Sequence, residues 1–191
     1  MSIALAPRSY GRAAAFGVAL LLFLGCLCPR ARAQFSCGPA TTAALTTCLG
    51  NFAAGTSCDL PVGAYEVDNS TLSPCTVNVT VGSTPLFRME PGAYLYPSTQ
   101  SNNLLKFIGA NGALFDGVAY AYSGTVWTRS GGITVEINNS NNPTIRHFEG
   151  IYGPEAALWI SNSPNVLIDD VKIFGPGADG LHLENTTNAR V

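Results

Sequence analysis

From Ile133 onward the chain repeats itself at a constant offset of 23, and so short a period leaves few folds open. Val135, Leu158 and Leu181 fall in one column, Ile137, Ile160 and Leu183 in a second, and Ile145, Ile168 and Val191 in a third. Phe148 falls on Val171, and polar positions keep the same step: Asn139, Asn162, Asn185, then Asn142, Asn165, Asn188. Inside each repeat the local period is two, because Val135 and Ile137 alternate with Glu136 and Asn138, and Leu158 and Ile160 with Trp159 and Ser161. Alternation over so few residues predicts short strands with one buried face, and the Asn, Ser, Pro and Gly that follow predict turns. Several short strands per repeat describe one coil of a parallel β-helix, whose apolar columns stack inside while each coil covers the next.

Residues one repeat apart should then be stacked neighbours about 4.8 Å apart. The charges agree with that offset: Arg146 falls on Asp169, His147 on Asp170 and Glu149 on Lys172. The asparagine columns resemble the amide ladders that stacked strands support. Earlier in the chain the pattern is less regular. A short Ala/Thr/Leu segment at 41–49 predicts a helix, strands are expected at 59–67, 76–81, 86–89, 93–96 and 104–108, and Asp116-Gly117 reads as a turn. A solenoid needs a cap where its apolar interior meets water, and the helix would serve. The fold class expected is all-β, a parallel β-helix with a short N-terminal capping helix. Val191 falls on an inward-facing position partway through a coil, so a C-terminally truncated product, inactive alone, is expected.

Arg8 and Arg12 precede an apolar run at 13–28, followed by Ala31-Arg32-Ala33. A positive start, a short apolar run and an A-x-A site read as a secretory signal peptide over 1–33, leaving the domain at 34–191. The run is short of the roughly 20 residues that span a bilayer. Localisation is therefore expected to be secreted, with no membrane association after cleavage. Four of the ten basic residues and none of the twelve acidic ones lie in that segment, so the remainder carries a net charge of −6. With only two lysines in the chain, nucleic acid is excluded as a partner. Charged residues make up 12% and apolar ones 47%, the reverse of a disordered chain. Cys37, Cys48, Cys58 and Cys75 cluster near the cap in an oxidising compartment and predict two disulfides, with three connectivities open. Asn69, Asn78, Asn138 and Asn185 each begin an N-x-S/T triplet, expected exposed if glycosylated.

Two stretches carry a resemblance. Leu60-Pro61-Val62-Gly63-Ala64-Tyr65 resembles the opening of pectin-lyase-like right-handed β-helix proteins, where a capping helix passes into the first strand. Residues 159–191 are similar to glycoside hydrolase family 28, the polygalacturonases. Asn165-Val166-Leu167-Ile168-Asp169-Asp170-Val171-Lys172-Ile173 matches a coil of the form N-V-x-I-x-x-V-x-I, and Gly177-Ala178-Asp179-Gly180-Leu181-His182-Leu183 stands where that family has N-T-D-G-I-D-I. The resemblance implies a right-handed winding, a secreted hydrolase acting on a pectin-like or other cell-wall polysaccharide, and Asp179 as the first catalytic aspartate. Gly177 and Ala178 depart from the Asn-Thr, and His182 stands at the second acid.

Glycosidic hydrolysis usually needs two carboxyl groups, roughly 6.5–9.5 Å apart in inverting enzymes. Asp169-Asp170 precedes the Asp-Gly motif and has ladder partners, so a structural role is expected for it. Glu136, Trp159 and His182 form an outward-facing stack on consecutive coils and are expected to contact substrate, since a pyranose presents an apolar face to an aromatic ring. A loop over 118–132 covering Trp159 is the alternative. No P-loop, Rossmann glycine pattern, zinc spacing or nucleophile elbow occurs, so no cofactor or metal is expected, and the protein is expected to be a monomer. A polysaccharide lyase or epimerase on the same scaffold, or a non-catalytic glycan-binding or adhesin module, are the rival readings.

Overall fold

The computed structural model describes residues 34–38, 41–68, 75–79, 85–98, 104–121, 132–153 and 156–191. The expected signal peptide lies outside them, and residues 33–191 form one compact unit. Almost every strand pairing is parallel, and a single short helix stands at the start of the described residues. The first sheet runs β1 (Gln34–Ser36), β4 (Cys75–Asn78), β7 (Leu105–Ile108), β10 (Ile133–Asn138), β12 (Ala156–Ser161), β14 (Asp179–Glu184). The second holds β2 (Cys58–Leu60), β5 (Leu86–Met89), β8 (Leu114–Asp116), β11 (Thr144–Gly153), β9 (Ala119–Ala121), β6 (Tyr94–Pro97) and β3 (Ala64–Val67), with β13 (Leu167–Pro176) paired to β11. The chain is all-β and solenoid-like: each winding places one strand in the first sheet and then crosses to the second.

The later register is the expected one. Val135 lies over Leu158 and Leu158 over Leu181, the same step that carries Ser140 to Ser163, 23 residues on. The earlier windings are longer. Lys106 meets Glu136, 30 residues on, and Cys75 over Leu105 and Leu105 over Val135 keep that longer step. In the second sheet Cys58 pairs with Phe87, Phe87 with Phe115 and Phe115 with Ile145. Strand β11 shows how the second sheet is built. Its first part continues β8 and its last part continues β9, so two strands of one winding fuse into one in the next. Residues 119–121, expected in a loop, are the strand β9 on the far side of that corner.

Left-handed backbone marks the corners. At the turn leaving the first sheet, Gly109, Asn139, Asn162 and Asn185 share positive φ, as do Gly112, Asn142, Asn165 and Asn188. At the corner of the second sheet the column is Gly117, His147 and Asp170. Glycine takes this conformation freely and Asn, Asp and His best among the rest, which explains why asparagine recurs. The amides also bond along the axis, Asn188 Nδ2 to Asn165 Oδ1 at 3.0 Å and Asn165 Nδ2 to Asn141 Oδ1 at 3.3 Å. Beneath them, Ser140 and Ser163 are fully buried. Ser163 Oγ accepts from Ser140 N at 3.0 Å and donates to Ser161 O at 2.7 Å, pinning each turn to its neighbour.

The helix α1 (Ala43–Ala53) starts and ends later than expected. Its N-cap residue, Thr42, makes no side-chain cap bond. Instead, Thr42 Oγ1 accepts from Glu66 N at 2.8 Å and Thr41 Oγ1 from Asp68 N at 3.0 Å, clamping the helix to the end of β3. Phe52 then drops into the open winding against Phe87, Phe107 and Phe115, with ring centroids 5.7, 5.3 and 5.5 Å away. Disulfides join Cys48 to Cys58 and Cys37 to Cys75, which tie the helix and β1 to the first winding. Strand β1 pairs antiparallel with β4 and so covers that edge of the first sheet. At the opposite end, Leu181 and Ile173 are only partly buried, and Val191, expected on the inner face, is 83% exposed.

Candidate functional site

Strand alternation turns Val135 and Ile137 inward and sends Glu136 to the outer face of the first sheet, and it does the same for Trp159 and His182. The register aligns Thr76, Lys106, Glu136, Trp159 and His182 in one column. Trp159 and His182 stack with ring centroids 3.9 Å apart and planes inclined by 26°. His182 Nδ1 donates to Asp179 Oδ2 at 3.0 Å across the first residues of β14. Asp179 is exposed, while Trp159 and His182 are half-buried. A carboxylate on Nδ1 fixes the imidazole tautomer and orientation and leaves Nε2 to take or give a proton.

Glu136 departs from its expected role. It is 7% exposed, and its Oε1 accepts from Lys106 Nζ at 2.7 Å and Asn138 Nδ2 at 3.0 Å. A buried carboxylate held this way is a fixed structural charge, because losing the partner would strand it in low dielectric. Lys106 falls outside the sequence pattern because it precedes Glu136 by 30 residues, a longer step than the repeat. Stacking also limits Trp159, since one face of the indole is taken by the imidazole.

The axial charge pairs need correction as well. Arg146 is in register with Asp169 and Glu149 with Lys172, as expected. The close contacts lie elsewhere: His147 Nδ1 donates to Asp116 Oδ1 at 2.7 Å in the preceding winding, and Lys172 Nζ lies 3.5 Å from Asp170. His147 thus pairs with the preceding winding rather than with Asp170. Asp59, Arg88, Asp116, Arg146 and Asp169 form one column of alternating sign, of which the sequence pattern shows only the last pair.

The remaining candidates are scattered. Asn185 is exposed, Asn78 and Asn138 are half-buried in strands, and Asn69 lies outside the described residues. Burial pushes the Tyr120 phenol far above the ordinary tyrosine range, with the Thr134 hydroxyl opposing the shift, so Tyr120 supplies no acid near neutrality. Among the described residues, no three His, Cys, Asp or Glu side chains converge in a way that could hold a metal ion. None of these residues forms a helix long and apolar enough to cross a membrane. No family model matches the chain, and neither a curated protein nor a solved structure matches it.

Chemically, the Asp179–His182–Trp159 cluster offers an exposed carboxylate, an oriented imidazole and an aromatic wall. A second carboxylate at hydrolytic distance is another matter. Glu136 lies two strands and three residues from the position of Asp179, about 14 Å by strand spacing and rise. That exceeds the roughly 6.5–9.5 Å of an inverting pair.

Proposed function

We propose that this protein is a secreted right-handed parallel β-helix that engages a cell-wall-type polysaccharide on the outer face of its first sheet, in the manner of a polygalacturonase. The observation that carries the reading is the convergence of Asp179, His182 and Trp159 from two windings onto one exposed patch. The Asp-Gly-Leu context of Asp179 and the disulfide-braced cap support it. Asp179 is the family-like acid, His182 its oriented neighbour, and Trp159 the apolar wall of a sugar subsite. With Glu136 committed to Lys106, the described residues bind glycan without a complete hydrolytic pair.

The test is calorimetric titration of the 34–191 chain with oligogalacturonides, alongside a reducing-sugar assay. Binding should weaken at least tenfold in Trp159→Ala and several-fold in Asp179→Ala, with no release of reducing ends. Cleavage by the wild-type chain would show that the second acid is present after all. Absence of binding, or binding indifferent to Trp159→Ala, would remove the site.

A further inference from the structure

The second sheet bends where Gly117, His147 and Asp170 adopt left-handed backbone, and the outside of that bend is a groove of about 450 Å³. It runs along the solenoid axis from Arg88 and Glu90, past Asp116 and His147, to Asp170 and Lys172. Successive strands are about 4.8 Å apart, so the strands it crosses span about 14 Å. Pro91, Ala93 and Ala119 give its lining a small, apolar part.

The side chains at the bend differ from those at the other corner. The turn leaving the first sheet fills its left-handed positions with Gly and Asn alone, whereas this one uses His147 and Asp170. Both side chains leave from backbone held inside long parallel strands, so their directions are fixed before any ligand arrives. Asp116 orients the His147 ring through Nδ1, and Nε2 has no partner among the described residues.

Charge selects the ligand. The groove presents carboxylates from Glu90, Asp116, Glu149 and Asp170 against the cations Arg88 and Lys172. A polyanion meets the carboxylates, and a polycation meets Arg88 and Lys172 at either end. Donors and acceptors alternate across four successive windings, Arg88, Asp116, His147 and Asp170, with Lys172 beside Asp170 in the last of them. A neutral polyhydroxyl chain suits such alternation, because each hydroxyl both donates and accepts. The apolar part of the lining suits the C–H faces of its rings.

We propose that this groove is a second binding site, for a neutral oligosaccharide lying along the solenoid axis, separate from the Asp179 patch and independent of the reading given to it. The experiment is titration of the 34–191 chain with neutral hexasaccharides of the cello-, xylo- and manno- series. His147→Gly preserves the left-handed backbone, and Ala119→Phe crowds the groove. At least one neutral hexasaccharide should bind, with a loss of tenfold or more in each variant and no change in Trp159→Ala. Circular dichroism and thermal melting confirm that each variant is folded. His147→Gly serves as the second test should Ala119→Phe fail to fold. Failure of all three series to bind, binding indifferent to His147→Gly, or binding lost in Trp159→Ala instead would each overturn the proposal. Oligogalacturonide binding at the Asp179 patch should be untouched by His147→Gly, so the two sites fail separately.

Discussion

In the early windings one core column of the second sheet reads Cys58, Phe87, Phe115; further along it continues as Ile145 and Ile168. A core column in the first sheet changes from Val77 and Phe107 to Ile137 and Ile160, and its register continues to the exposed Leu183. The wide early windings are filled by interlocked rings, with Phe52 contributed by the cap. The narrow later windings carry aliphatic side chains in these two columns, with the ring of Phe148 buried beside Tyr120 where the two regions meet. At the stacked corner positions the residues divide the same way, Gly109, Gly112 and Gly117 in the wide region and Asn, His and Asp in the narrow one, although Gly175 is a left-handed glycine in the narrow region. A solenoid thus changes its circumference by lengthening turns while keeping its strands in register, and core volume and corner chemistry adjust together.

The largest effect should come from the aromatic plug. Phe52→Ala removes a fully buried ring that touches three others and should cost about 4 kcal/mol. Leu181→Ala, on a half-covered position of the last winding, should cost about 1 kcal/mol or less. Urea denaturation of the two variants checks the contrast. Equal losses would mean that the two regions share one uniformly packed core.

Legibility in the sequence follows the same division. The narrow windings are readable because Val135, Leu158 and Leu181 are displaced by one constant step. The wide ones are not, because the first sheet keeps a longer step there while the second-sheet steps from Phe87 to Phe115, from Phe115 to Ile145 and from Leu95 to Tyr120 all differ in length. Parallel pairing fixes strands and tolerates extra residues in turns, so periodicity fails while structure persists. The site shows the same limit. The pairing of Trp159 with His182 follows from the constant step, but Lys106 on Glu136 does not, and the pattern alone therefore points Glu136 at substrate. His147 is hidden for a different reason: a positive φ inside a strand redirects a side chain, and alternation does not reveal it.

Corner glycines of the wide region should respond unequally to an added methyl group. At Gly117, where φ is +70°, a Cβ would fall on the Met89 carbonyl oxygen, so steric conflict adds to backbone strain. Gly117→Ala should therefore cost about 3 kcal/mol. At Gly109 the nearest atom, Val79 O, would be 3.5 Å from the new Cβ, and only strain remains. Gly109→Ala should cost about 1.5 kcal/mol. Thermal and urea unfolding compare the two, and a smaller loss at Gly117 would contradict the close approach of the windings there.

The smallest difference separates two explanations for asparagine in the narrow region. Asn165 has φ 58° and takes part in two amide contacts along the ladder, accepting from Asn188 and donating to Asn141. If its value lies in tolerating left-handed backbone, Asn165→Ala should cost about 2 kcal/mol and Asn165→Gly about 1 kcal/mol or less. If the ladder dominates, both substitutions delete the same amide and should cost the same. The contacts are exposed, and exposed hydrogen bonds contribute little net stability because water replaces them. Backbone tolerance should therefore decide, with Ala about 1 kcal/mol worse than Gly in urea denaturation.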